Sequence, residues 1–89
     1  MTYSRHIEDK LSKELSRLGI TKELLKDIVS KPDEVLLDTE NGRNIALRLM
    51  RNLAVIYEPR VEDMFIITAI YSSNLERIVS RRKRSGRWL

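Results

Sequence analysis

The sequence predicts an α+β domain in which an N-terminal helical hairpin packs on a four-stranded antiparallel meander, followed by a C-terminal basic helix. Three observations predict this fold. Apolar residues recur at helical spacing before Pro32, they alternate along the segments that follow, and arginines at helical spacing end the chain. The 89 residues fit one domain spanning positions 1–89, with the helices on one face of the sheet in a two-layer sandwich.

The first third of the chain predicts the helical hairpin. Residues 4–18 form an amphipathic helix that Gly19 ends, because four apolar side chains recur along one face: Ile7, Leu11, Leu15 and Leu18. Thr21 predicts the N-cap of a second helix. Pro32 stops that helix near Ser30, since the residue before a proline avoids the helical conformation. The connection between the two helices is therefore very short.

Four strands are predicted next, and none is predicted before the first helix. Residues 40–43 (Glu-Asn-Gly-Arg) indicate a type I′ hairpin turn between the first two strands. Pro59 to Asp63 predict a polar loop before the last strand, the most apolar segment, which we expect to be buried on both faces. The predicted strands are Glu34–Thr39, 45–49, Leu53–Glu58 and Met64–Tyr71.

The last helix carries the positive charge of the chain. Ser73 followed by Glu76 predicts a capping box, and Gly86 ends the helix. Four residues form its inward stripe (Leu75, Ile78, Val79 and Arg82), and three arginines fall outside it: Arg77, Arg81 and Arg84. The whole chain has 17 basic and 13 acidic residues; six of the basic ones and no acid lie at positions 77–89, so residues 1–76 carry 11 basic and 13 acidic residues. Such a concentrated patch attracts phosphate backbones, anionic membranes or an acidic partner.

The composition excludes several classes of protein. The chain has no cysteine, and its single histidine cannot build a zinc site, so we expect no metal and no cofactor. There is no nucleotide-binding glycine loop and no Ser–His–Asp arrangement with recognisable spacing. No apolar run approaches the roughly 20 residues that cross a bilayer, and no signal peptide is recognisable. We therefore expect a cytoplasmic protein that does not bind membranes.

The candidate functional residues each have a structural alternative. His6 could act as a general acid or base, or could simply be exposed on its helix. Tyr71 could stack on a base or reach a phosphate, or could end a strand. The C-terminal arginines could bind phosphates bidentately or form a solvated helix face, and the stem of Arg82 could cover apolar surface. Trp88 could dock on the sheet, stack on a nucleobase, or enter a partner's groove.

Several short motifs follow one another in an order that resembles a known family. They are Ser4-Arg5-His6, Leu-Gly-Ile-Thr, Lys-Pro-Asp-Glu, Asn-Leu-Ala-Val-Ile-Tyr, Ile-Ile-Thr-Ala-Ile-Tyr and the arginine-rich final helix. In this order they resemble the RelE/ParE-like toxin superfamily, especially its branch of small proteins with an N-terminal helical hairpin and histidine. The family pattern also has a strand before the first helix and a C-terminal tyrosine, whereas here no such strand is predicted and Trp88 stands near the end.

The resemblance implies a toxin that acts on RNA. It implies metal-independent cleavage of messenger RNA on the ribosome by scattered Arg, Lys, Tyr or His side chains, and neutralisation by an acidic antitoxin protein. The implied catalytic positions are His6, Tyr71, Arg77 and Arg81. The candidate nucleic-acid contacts are Arg48, which the resemblance maps, and five residues of the basic terminus: Arg82, Lys83, Arg84, Arg87 and Trp88.

Two alternatives remain open beside the endoribonuclease. The chain could be a non-catalytic nucleic-acid-binding module, whose affinity would fall steeply with salt. It could also be an interaction protein whose basic helix and Trp88 clasp an acidic partner. A membrane-surface role ranks last, because the basic helix has too few bulky apolar residues.

Overall fold

The computed structural model describes residues 1–89. The chain forms five strands, three α-helices and two 3₁₀ segments. In chain order they are β1 (Thr2–Tyr3), α1 (Arg5–Lys13), a 3₁₀ segment (Leu15–Leu18), α2 (Lys22–Ser30), β2 (Glu34–Leu37), β3 (Asn44–Arg48), a 3₁₀ segment (Leu49–Arg51), β4 (Leu53–Arg60), β5 (Asp63–Tyr71) and α3 (Leu75–Arg84).

The sheet has five strands and is mixed, so the predicted four-stranded antiparallel meander is wrong. Its order is β1-β5-β4-β3-β2, with β1 parallel to β5 and every other pair antiparallel. The two residues of β1 are too few to show the alternation from which strands are predicted. The next residue, Ser4, completes the pairing: its backbone N–H donates to the carbonyl of Ile66 at 2.8 Å and its hydroxyl to that of Ile67 at 2.5 Å.

A β-bulge interrupts β5 at Ile67. Ile56 pairs with Thr68 and the next residue, Tyr57, pairs with Ile66, so Ile67 has no partner on β4. The extra residue shifts the alternation of side chains, which places Ile66 and Ala69 on the same face although they are three positions apart. These two are the only fully buried residues of β5, so the expectation of a strand buried on both faces is wrong.

Helices cover both faces of the sheet, which makes three layers and overturns the predicted two. A first core joins α1 and α2 to one face, and a second core joins α3 to the other. Neighbouring strand residues divide between them: Ala46 and Val55 belong to the first core, and Leu47 and Ala54 to the second. The second core contains Leu36, Ile45, Leu47, Ala54, Leu75, Val79 and Trp88.

The N-terminal helical hairpin is not formed. The first α-helix ends at Lys13, because Glu14 leaves the helical region (φ −120°, ψ −55°) and a 3₁₀ segment follows. This change of helix type turns Leu18 out of the predicted apolar stripe, and 49% of its surface is exposed. The predicted cap of α2 is confirmed, because the Thr21 hydroxyl accepts a hydrogen bond from the N–H of Leu24 at 3.2 Å.

Three predicted connections are also corrected. The turn before β3 is not type I′, since only Gly42 has positive φ there; the Asp38 carboxylate accepts the N–H of Glu40 at 2.9 Å instead. Between β4 and β5 the polar loop shrinks to two residues, 61 and 62, because β4 continues to Arg60. The capping box is absent, because α3 begins after Asn74, which caps it with no side-chain hydrogen bond.

No helix is long and apolar enough to cross a bilayer.

Candidate nucleic-acid interface

Helix α3 presents three arginines to solvent, on the side opposite the second core. Leu75 and Val79 are buried beneath the helix, so residues two positions away from each point outwards. The side chains of the three arginines are exposed, and none of the three forms an ion pair. We call these residues, Arg77, Arg81 and Arg84, the arginine stripe. The predicted division of this helix into an inward and an outward face is therefore confirmed.

Two other basic residues of this region are paired with acids of the β2 region. The Lys83 ammonium lies 3.0 Å from a carboxylate oxygen of Glu34, where β2 begins. The Nε of Arg87 lies 3.0 Å from Glu40 and 3.7 Å from the buried carboxylate of Asp38. Part of the C-terminal charge therefore attaches the last helix and tail to the sheet.

Backbone hydrogen bonds hold both ends of α3. At its start, the N–H of Ser72 donates to the carbonyl of Asn52, and the Ser72 hydroxyl accepts from the N–H of Asn74, both at 3.1 Å. At its end, Gly86 adopts a left-handed conformation (φ 79°) that turns the chain back. The tail then pairs with β2: the N–H of Leu89 donates to the carbonyl of Leu37 at 2.9 Å.

Trp88 docks on the sheet, which is one of the three placements that the sequence left open. Only 1% of its surface is exposed, and it forms an antiparallel bridge with Asp38. Its indole therefore has no free face to offer to a nucleobase. The guanidinium of Arg82 covers the ring, 5.1 Å from its centre, so that the stem of this half-buried arginine packs on apolar surface.

Arg48, a candidate nucleic-acid contact, lies on the other side of the sheet from α3. It pairs with Leu53, a residue of the first core, so its side chain points towards α2. There its guanidinium contacts the Asp27 carboxylate at 3.1 Å and donates to the carbonyl of Lys31 at 2.7 Å. Arg48 thus caps the C-terminal end of α2 and lies apart from the arginine stripe.

The four candidate catalytic residues are not brought together. Tyr71 pairs with Leu53, so it points to the face that carries α1 and α2, with 44% of its surface exposed. His6 is exposed on α1, in the same layer. Arg77 and Arg81 belong to the outer side of α3, across the sheet. A single reaction centre that uses all four side chains is therefore not assembled in this structure.

Two cavities lie at the ends of α3. A cavity of about 370 Å³ at its start is lined by Asn52, Ser73, Asn74, Glu76 and Arg77. A second cavity of about 240 Å³ at its end is lined by Arg81, Arg82, Ser85 and Arg87. The arginine stripe therefore runs from one cavity to the other.

Sequence reasoning missed a second charged group, between β3, β4 and β5. The Glu58 carboxylate lies between Arg43, at 3.3 Å, and Arg60, at 3.6 Å, and the Arg60 guanidinium lies 4.0 Å from the centre of the Phe65 ring. Alternation along β4 places Glu58 on the α3 side of the sheet, next to Tyr57 of the first core. If the predicted strand had been extended to Arg60, alternation would have placed Glu58 and Arg60 on one face and predicted this group. A polar loop is predicted from Pro59 to Asp63 instead.

Comparison of the chain with protein-family models, with curated proteins and with solved structures gives no match.

Proposed function

We propose that this protein binds nucleic acid, RNA in particular, through the arginine stripe. The observation that carries the proposal is that Arg77, Arg81 and Arg84 share one exposed helix face and have no carboxylate partner. Guanidinium groups form bidentate hydrogen bonds with phosphate oxygens, and unpaired ones have no internal contact to lose on binding. RNA is preferred to DNA because of the resemblance to RNA-directed toxins.

The length of the stripe suits a phosphate backbone. Its first and last members are seven positions apart, which corresponds to roughly 10 Å along a helix that rises 1.5 Å per residue. Along the axis of a stacked strand there is one phosphate about every 3.4 Å, so the arginine stripe can face about three phosphates. Contacts of this kind recognise charge and spacing and carry no information about base sequence.

The salt dependence of binding to single-stranded RNA tests the proposal. With about three phosphates contacted, the slope of log affinity against log salt should be roughly −2. Replacing the three arginines of the stripe by glutamine should reduce affinity at least tenfold and flatten that slope. The matched control replaces three exposed basic residues of α1 and α2 by glutamine, with the same change of charge: Arg5, Lys13 and Lys26.

The control variant should keep most of the affinity of the unchanged protein. If the two variants lose affinity equally, the interaction follows net charge and the assignment to α3 is wrong. If neither variant loses affinity, the arginine stripe is not the binding surface.

A second candidate function is a RelE-like toxin that cleaves messenger RNA, acting in the cytoplasm. The observation that favours it is β1, since the superfamily pattern has a strand before the first helix. In such a reaction the 2′-hydroxyl oxygen attacks the adjacent phosphorus while a base takes its proton, and arginines stabilise the developing negative charge. The bond from phosphorus to the 5′-oxygen of the next nucleotide breaks, and an acid or water protonates that leaving oxygen. An acidic antitoxin would cover the same arginines.

Ribosome-dependent cleavage of a message by the purified protein tests this candidate. His6→Ala and Arg81→Ala are assayed separately, because these residues lie on opposite sides of the sheet and need not act together. Loss of cleavage in one variant, with RNA affinity retained, would identify which side carries the chemistry. Undiminished cleavage and growth inhibition in both variants would remove both residues from the reaction.

A further inference from the structure

The cavity at the end of α3 is lined by three arginines and a serine. We call the cavity formed by Arg81, Arg82, Ser85 and Arg87 the terminal arginine pocket. No carboxylate lines it, and its volume is about 240 Å³. Three of its four lining residues are positively charged, so the pocket attracts a compact anion.

The backbone builds this pocket at the point where the chain reverses. The N–H of Ser85 donates to the carbonyl of Arg81 at 3.1 Å, which continues the helix to its last turn. Gly86 then reverses the chain, and the N–H of Arg87 donates to the carbonyl of Arg82 at 3.0 Å. These bonds hold the main chain of Arg87 beside the helix end, so the backbone positions of the arginines that line the pocket do not depend on a ligand.

Each guanidinium keeps donors for an anion. Arg81 forms no ion pair. Arg82 lies over the indole of Trp88, and a stacked guanidinium still has its N–H groups directed outwards in its own plane. An arginine has five N–H donors, and the closest contacts of Arg87 with carboxylates are made by one of them, at Nε.

Charge and position together indicate the ligand. Counting the carboxylates of Asp38 and Glu40 beside Arg87, the three arginines leave a net formal charge of +1, so an anion is favoured. Arg81 belongs both to the arginine stripe and to the pocket, and Arg87 lies beyond the last turn of the helix. A strand whose backbone follows the stripe therefore reaches the pocket at its end. A terminal phosphate monoester carries more charge than a backbone diester and offers three free oxygens to these donors.

We propose that the terminal arginine pocket binds the terminal phosphate monoester of an RNA strand. The inference rests on the proposed function, because the strand is held along the arginine stripe. It adds a preference that the stripe alone does not explain: the protein distinguishes a phosphorylated end from a hydroxyl end.

Three RNA strands test, at a fixed salt concentration, whether the protein prefers a phosphorylated end. Twelve-nucleotide strands carry a phosphate at the 5′ or at the 3′ end, and a fourteen-nucleotide strand with hydroxyl ends has the same formal charge. The unchanged protein should bind at least one phosphorylated strand about tenfold more tightly than the hydroxyl strand. Equal affinity for all strands would show that the pocket does not recognise a terminal phosphate.

Two variants connect the preference to the pocket. Arg87→Gln removes a donor from the half-exposed tail, and Arg82→Lys keeps the charge but loses the planar fork. Each should reduce the tenfold preference to about twofold or less. Arg84→Gln is the control, because Arg84 lies in the arginine stripe but outside the pocket. This variant should weaken the binding of every strand by the same factor and keep the preference for a phosphorylated end. A preference that survives in both pocket variants would place the recognition elsewhere.

Titration of the protein with inorganic phosphate separates failure of the pocket from failure of the proposed function. Side-chain Nε–H signals of Arg81, Arg82 and Arg87 should shift in NMR spectra, while those of Arg77 and Arg84 stay in place. That result supports the pocket even if no RNA strand binds to the stripe. Uniform shifts of all arginines, or none, would contradict it.

Discussion

The carbonyl oxygen of Arg82 accepts hydrogen bonds from the N–H groups of both Arg87 and Trp88, at 3.0 and 3.2 Å. The Arg82 guanidinium lies over the Trp88 ring at the same time. A single arginine thus connects the last turn of α3 to the tail through its main chain and its side chain. The positions of the basic residues around it depend on this connection, so the stability of the tail and the shape of the binding surface are coupled.

Trp88→Ala should reduce the free energy of unfolding by about 3–5 kcal/mol, because it removes the largest side chain of the second core. Denaturation with urea measures the loss. The indole Nε1 has no hydrogen-bond partner, so Trp88→Phe should cost less than half as much, since it also removes a buried unsatisfied donor. A loss in Trp88→Phe of more than half that in Trp88→Ala would mean that the indole nitrogen is satisfied in solution.

Arg48→Ala should reduce the free energy of unfolding by about 1–2 kcal/mol and leave RNA affinity unchanged. It removes the contact with Asp27 and the hydrogen bond to the carbonyl of Lys31 at the end of α2. Arg51→Ala, at an exposed position nearby, is the control for loss of charge and should have little effect on stability. A drop in RNA affinity specific to Arg48→Ala would restore it as a nucleic-acid contact.

Glu34→Gln should increase RNA affinity roughly twofold to fivefold, because it frees the Lys83 ammonium beside the arginine stripe. The ion pair is half-exposed, so its loss should change the free energy of unfolding by less than about 1 kcal/mol. Glu23→Gln makes the same change of charge on exposed α2 and serves as the control. If both variants gain affinity equally, the effect is one of net charge and Lys83 has no particular role.

The Asp63 carboxyl should make the attachment of β1 sensitive to acid. A hydrogen bond from the Thr2 hydroxyl, at 2.5 Å, followed by contacts with the N-terminal ammonium and the N–H of Met64, lowers the pKa of Asp63 from 3.8 to about 2. Because the pKa is lower in the folded chain, the contribution to stability is complete above about pH 4 and is lost as the pH falls through about 2. Carboxyl ¹³C shifts of Asp63 against pH measure this.

Asp63→Asn removes the titrating group and should make stability less dependent on pH over that range. Asp9→Asn, on the exposed side of α1, is the control and should leave the dependence unchanged. A measured pKa of Asp63 near 4 would mean that the contact with Thr2 does not persist in solution.

The division of α3 into two faces could be predicted from sequence, because residues of one helix share a period of 3.6. Leu75 and Val79 are buried, and Arg77 and Arg81 are exposed, as that period requires. The predicted strands likewise lie within one to two residues of β2 to β5 at most of their ends, since alternation is a local signal.

The remaining features depend on contacts between distant parts of the chain. The pairing of Glu34 with Lys83 joins residues 49 positions apart, and neither helical nor strand spacing indicates it. Trp88 packs in the second core together with α3, a placement that the sequence left open. The bulge at Ile67 shows no signature in β5 itself, because its carbonyl is satisfied by Ser4 from another element.

Parts of both edges of the sheet are covered by the chain's own atoms. The tail hydrogen-bonds to Leu37 at the end of β2 and to Thr39 just beyond it, and the Lys10 ammonium donates to the carbonyl of Ala69 on β5 at 2.6 Å, beyond the short β1. Unpaired strand edges are the usual starting points for lateral association between copies of a protein. This arrangement should let the chain be concentrated without forming intermolecular sheets, whereas loss of the tail's pairing would expose β2 and promote them.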